Sequence, residues 1–169
     1  MLGPIKLKAF LEQTKSPKIQ RIEIVEDYIL SVKTVFEGVV KDVPEDMLSK
    51  YYISDWYPEE GTPVLVVLVW VNPHEEFNKY AENSNSDSHR FTIHDLMANG
   101  CCTNPYIDFA IVNIKTGEVL VDHVSDKTYT VDDNKDYDLF LPYEWKTVRA
   151  WEVRDGKMIF YILPPKRRR

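Results

Sequence analysis

Only two cysteines occur in the 169 residues, and they are neighbours, Cys101 and Cys102. Adjacent cysteines bond to each other only under strain, so a disulfide framework is excluded and a reducing, cytoplasmic setting is expected. No apolar run approaches the roughly 18 residues of a membrane helix. The longest, residues 64–71, has strand length. Lys6 and Lys8 interrupt the apolar residues near the start, so no secretory leader and no membrane partner are expected.

Catalytic signatures are missing as well. The chain has no G-x-S-x-G elbow, no P-loop, no G-x-G-x-x-G and no H-E-x-x-H. His89, His94, Cys101 and Cys102 are the nearest approach to a zinc set, but structural zinc sites space their cysteines so that both thiolates reach one ion. Asp132-Asp133 lacks the rest of a calcium loop. These absences point to a non-enzymatic protein with no catalytic residue, no metal and no cofactor.

What is present begins with charge. The net −6 conceals an asymmetry, because residues 1–21 carry +4 and residues 166–169 another +4. The body between them holds 12 basic against 26 acidic side chains, net −14. Such a body repels phosphates and attracts basic surfaces, so direct nucleic-acid binding is not expected and a basic protein partner is. Hydrophobic residues at 44% and aromatics at 12% supply a core.

The chain also repeats itself. Ile5, Leu7, Phe10 and Leu11 recur as Phe91, Ile93, Leu96 and Met97, and Ile22-Glu23-Ile24 as Phe109-Ala110-Ile111. Val35-Phe36, with Asp42 following, is echoed by Val119-Leu120 and Asp126, a pairing that sets Gly38 against Asp122 and Pro44 against Thr128. Ile53-x-x-Trp56-x4-Gly61 returns as Val148-x-x-Trp151-x4-Gly156, a costly coincidence in a chain with four tryptophans and six glycines. The expected architecture is therefore α+β and mostly antiparallel: two diverged copies of a small four-stranded domain, each opened by a short helix. Residues 1–71 form the first copy and 72–89 a polar linker; 90–163 form the second copy and 164–169 a basic tail.

Within the first copy, a helix is expected over 6–12, strands over 18–26, 31–41, 51–57 and 63–71, and a short helix through Leu48 with Pro44 in its first turn. The second repeats this with a helix over 92–98, strands over 106–115, 118–125, 147–154 and 157–163, hairpin turns at Thr116-Gly117 and Asp155-Gly156, and an insertion around 128–145.

Acidic residues cluster in both copies. Asp42, Glu45, Asp46, Asp55, Glu59 and Glu60 lie among Tyr51, Tyr52, Trp56 and Tyr57. Asp122, Asp126, Asp132, Asp133, Asp136 and Asp138 lie near Tyr129, Tyr137, Phe140, Tyr143 and Trp145. Carboxylates beside tyrosine and tryptophan suit a basic protein surface, with the aromatic rings as anchors. The expected binding set is Asp42, Glu45, Asp46, Trp56, Glu59, Glu60, Asp126, Asp132, Asp133, Asp136, Asp138 and Trp151. On this reading Val64, Val66 and Ile159 fill the core, while Trp56 and Trp151 stay partly exposed unless a bulge intervenes. The alternative is a structural protein that self-associates through sheet edges, burying residues 64–71 or 157–163.

Ile5-Lys6-Leu7-Lys8-x-x-Leu11 and Phe36-x-Gly38-x-Val40-x-Asp42-Val43-Pro44 resemble the opening and core of small uncharacterised accessory proteins of phages and mobile elements in Gram-positive gut bacteria. The resemblance spans residues 5–71 and carries no enzymatic residues. It implies a setting in which such proteins act as stoichiometric inhibitors of host defence, anti-CRISPR proteins among them. A nucleic-acid-binding effector nuclease is then the specific partner expected.

Overall fold

The computed structural model describes residues 5–28, 30–71, 91–98, 108–124, 141–164 and 166. The first copy runs α1 (Leu7–Glu12), β1 (Arg21–Tyr28), β2 (Ser31–Val39), α2 (Glu45–Lys50), β3 (Tyr51–Pro58) and β4 (Val64–Val71). The second runs α3 (Ile93–Ala98), β5 (Asp108–Asn113), β6 (Val119–His123), β7 (Ala150–Arg154) and β8 (Lys157–Ile162). Each copy makes one four-stranded sheet, in the orders β2-β1-β4-β3 and β6-β5-β8-β7. The central pair of each sheet is parallel and the outer pairs are antiparallel. The fold is thus α+β with mostly antiparallel strands, and a short helix precedes each sheet.

The likeness of the two copies extends to single hydrogen bonds. Ile53 N–H donates to Ile5 O and Val148 N–H to Phe91 O, both at 2.9 Å, between residues that the sequence had paired. The bridges Lys6–Tyr52 and Thr92–Thr147 are likewise equivalent. Ile22 sits beside Leu65 and Phe109 beside Met158 in the two parallel pairs.

One alignment needs a correction. Ile24 faces Phe36 and Ile111 faces Val121, and a bulge follows each pair at the same step. Val35-Phe36 therefore matches Leu120-Val121, one residue later than the apolar pattern implied. Such a slip moves every side chain to the other face of the sheet. Gly38 then corresponds to buried His123 rather than to Asp122. A Cβ at Gly38 would lie 3.1 Å from the Phe36 ring. In the second copy the smaller Val121 takes the place of Phe36, and the His123 imidazole packs 4.9 Å from the Phe109 ring.

The inner faces of both sheets build one continuous core. Ile22, Ile24, Leu65, Val67 and Val69 meet Phe109, Ile111, Met158, Phe160 and Ile162, together with Leu7 and Phe10 of α1 and Ile93 and Leu96 of α3. Strand parity sorts the buried strand residues by face: Leu65 and Val67, Met158 and Phe160 point into the shared core, while Ile159 packs with Ala110, Val112 and Tyr161 on the other side of its sheet. Val66 and Ile159 are buried on the opposite faces, and Val64 is only half-buried.

Trp56 and Trp151 are also placed differently from the expectation, both with no exposed surface. A bulge at Ser54 shifts the register between Ile53 and Asp55, which turns Trp56 to the same face as Ile53. The Trp56 ring then meets Phe160 edge-on at 5.8 Å, and Trp151 stacks on Phe10 at 4.5 Å. Each indole crosses to the other copy. Trp56 Nε1–H donates to Leu96 O at 3.1 Å and Trp151 Nε1–H to Phe10 O at 2.8 Å. Because Phe10 and Leu96 are themselves equivalent, the two copies exchange identical contacts, as in a two-fold interface. Their matching turn glycines, Gly61 and Gly156, also lie against each other.

The edges are arranged to match. β4 and β8 are interior strands, bonded on both sides, so they cannot be the self-association edges that the sequence suggested. β7 is covered on its outer side: Trp151 N–H donates to Gln13 O, Lys15 N–H to Trp151 O, and Val153 N–H to Gln20 Oε1. β3 is met on its outer side by Ile5 and Lys6, which leaves β2 and β6 as the edge strands without an outer strand partner among the described residues.

Candidate functional site

The acidic set of the first copy is divided by β3. Asp42, Glu45 and Asp46 stand exposed before it, while Glu59 and Glu60 stand exposed beyond its far end. At about 3.3 Å per residue, an eight-residue strand separates the groups by on the order of 25 Å. Glu45 pairs with Lys8 at 3.5 Å, an exposed contact worth little. Glu59 accepts a hydrogen bond from the Thr62 hydroxyl within its own turn. Asp126, Asp132, Asp133, Asp136 and Asp138 lie outside the described residues. Trp56 and Trp151, being buried, are removed from the binding set.

Asp46 does join a larger group, at the end of the first sheet where β1 turns into β2. Tyr28 faces Ser31 there, leaving only Ile29 and Leu30 as the connection. Two-residue hairpin turns favour Asn-Gly or Asp-Gly, as Asp155-Gly156 provides in the second copy with φ values of 51° and 76°. Ile-Leu has no such turn chemistry. The consequence is an apolar tip in water: Leu30 is 97% exposed, Val32 64% and Tyr28 50%. Val71, paired with Tyr51 at the same end of the sheet, is exposed too.

Beneath the tip lies a small polar network. Tyr51 is buried and its hydroxyl donates to Glu26 Oε2 at 2.8 Å. The Tyr28 hydroxyl also bonds to Glu26, and this bond first, with that of Tyr51 second, holds the carboxyl below the usual range. Lys50 Nζ lies 4.8 Å from the centre of the Tyr51 ring. Burial, followed by the Glu26 hydrogen bond and the charges of Glu26 and Asp46, pushes the Tyr51 phenol up to about 12. The tip therefore stands on a fixed base, rimmed by the carboxylates of Glu26, Asp27 and Asp46 and the ammonium groups of Lys33 and Lys50.

The raised phenol has a measurable consequence. The folded state keeps the Tyr51 proton to about 12, whereas an unfolded tyrosine releases it near 10.0. The stabilisation is complete below pH 10 and is lost as pH rises from 10 to 12, where the native state binds more protons than the unfolded one. Urea unfolding followed between pH 9 and 12 should show this loss, and Tyr51→Phe should reduce its steepness. An unchanged pH profile in the variant would contradict the buried Tyr51–Glu26 pair.

The hairpin tip was absent from the sequence-derived site. The signal that could have found it is the stretch Tyr28-Ile29-Leu30, apolar and free of turn residues between two strands. No protein-family model matches the chain, and no curated protein or solved structure matches it either.

Proposed function

We propose that the chain is a non-enzymatic protein-binding module that docks the β1–β2 tip on a basic partner, and that it acts as a stoichiometric inhibitor of a host defence effector nuclease. The observation carrying this reading is Leu30, 97% exposed at the centre of an apolar tip whose polar rim holds three carboxylates against two ammonium groups. An apolar centre with a polar rim is the usual anatomy of a protein interface. Placing Leu and Ile where turn chemistry calls for Gly and Asn contradicts local folding preference, and such contradictions concentrate at functional sites. The acidic body supports a basic partner through long-range attraction and disfavours phosphate ligands. The phage or mobile-element setting rests on the sequence resemblance of residues 5–71.

Affinity capture from a bacterial host lysate, with the wild-type chain and a Leu30→Ser/Val32→Ser variant as baits, tests the tip. Both positions are exposed, so the variant should melt within a degree or two of wild type. Wild type should retain a basic protein that the variant loses. Titrating wild type against the captured nuclease should abolish cleavage near one equivalent. Equal capture by both baits would remove the tip from the interface.

A second reading, self-association, is favoured by β2, which carries exposed Val32 on an edge with no strand partner among the described residues. Its bulge opposite Ile24/Val25 works against strand addition. Light scattering at millimolar concentration separates the readings: a monomer excludes self-association.

A further inference from the structure

Trp145 differs from the other described tryptophans. Trp56 and Trp151 are sealed in the core and Trp70 is half-buried, yet Trp145 is 64% exposed. It is also held in place. One face stacks on the His94 imidazole, with ring centres 4.2 Å apart and planes 22° from parallel. His94 is itself tied down, since its backbone N–H donates to Glu144 O at 2.7 Å and its Nδ1 lies 3.5 Å from Glu144 Oε2. The backbone around the ring is fixed by Lys146 N–H donating to Tyr143 O at 3.0 Å and Ile93 N–H to Lys146 O at 3.2 Å. The first turn of α3, which carries His94, is closed by a reciprocal cap between Thr92 and Asp95 at 2.8 and 3.1 Å.

An indole buttressed on one face and open to water on the other makes a rigid platform whose ordering cost is met on folding. We infer that the open face of Trp145 is a binding shelf for an arginine side chain of a protein partner, separate from the β1–β2 tip. Three considerations select guanidinium. Tryptophan is the strongest cation–π ring. Guanidinium is flat and weakly hydrated, so it stacks where a lysine ammonium stays solvated. The chain has net charge −6 and the buttress behind the ring carries the Glu144 carboxylate on His94, which together attract a cation and repel a nucleotide phosphate.

The probe is a tetra-arginine peptide, with tetra-lysine and adenosine monophosphate as comparisons, titrated at 50 and 200 mM salt while intrinsic tryptophan fluorescence is followed. Tetra-arginine should bind wild type about five-fold more tightly than tetra-lysine, the scale of one exposed cation–π contact. Trp145→Ala should abolish that preference without changing the melting temperature, because the ring is exposed. Trp145→Phe should keep part of it, and Leu30→Ser all of it. Equal affinity of wild type for the two peptides would overturn the shelf, as would a preference that survives Trp145→Ala. Adenosine monophosphate binding more tightly than tetra-arginine would reassign the platform to nucleotide bases.

Discussion

Trp151→Ala is expected to remove about half of the protein's stability at 25 °C. The ring is wholly buried against Phe10, and its removal from a packed core costs about 3–5 kcal/mol. It also strips the Phe10 carbonyl of its donor, a further loss of about 1–3 kcal/mol for a buried acceptor left unpaired. Set against a typical total stability of about 5–15 kcal/mol, the sum removes about half of it. Trp151→Phe keeps a ring against Phe10 but loses the N–H and part of the buried volume, so its loss should be smaller than that of Trp151→Ala. Trp56→Ala should behave similarly, because its N–H meets Leu96 O in the same way. Denaturant unfolding of the three variants provides the check. Losses below about 1 kcal/mol would return these residues to the surface and to the binding set.

Gly156→Ala should be the next most damaging change, and it should separate two equivalent turns. Gly156 has φ 76°, where an L residue costs about 1–2 kcal/mol. The added Cβ would also lie 3.0 Å from Gly61 N and 3.3 Å from Glu60 Cα, backbone atoms of the facing turn that cannot rotate away. Overpacking of this kind adds about 1–3 kcal/mol, for a total near 3 kcal/mol. Gly61→Ala and Gly117→Ala meet only the conformational cost, because each has φ 73° and open space within 4 Å. Thermal unfolding should therefore rank Gly156→Ala well below the other two. Equal melting temperatures would mean that the turns of the two copies do not touch.

Much of the fold was legible because duplication writes the same constraints twice. Trp-x4-Gly located β3 and β7 with their turns, and the matched pairs Ile5/Phe91 and Ile53/Val148 turn out to share one backbone hydrogen bond in each copy. Parity was less legible. The bulges at Ser54 and opposite Ile24/Val25 and Ile111/Val112 each add a residue without marking the sequence, and each reverses which side chains face inward. That is why Trp56 was assigned to the wrong side and why β2 and β6 were aligned one residue apart. The candidate site was the least legible part. Exposure depends on what packs above a residue, and the donors that bury Trp56 and Trp151 find their acceptors in the opposite copy, 40 and 141 positions away. Acid clustering, in turn, said nothing about the length of strand between Asp46 and Glu59.

The reciprocal indole bonds also bear on how such a molecule can vary. Two separate half-chains joined through these contacts would obey mass action, and their stability would fall with dilution. A covalent connection replaces that dependence with an effective concentration of roughly millimolar order, whatever the amount of protein present. It also releases each copy from serving both sides of one symmetric contact. A substitution at one hairpin is no longer forced on the other, so the first copy can carry Tyr28, Leu30 and Val32 at its tip while the second carries Lys115, Thr116 and Gly117. Asymmetry at the surface is thus available to a pair of sheets whose shared interior stays symmetric.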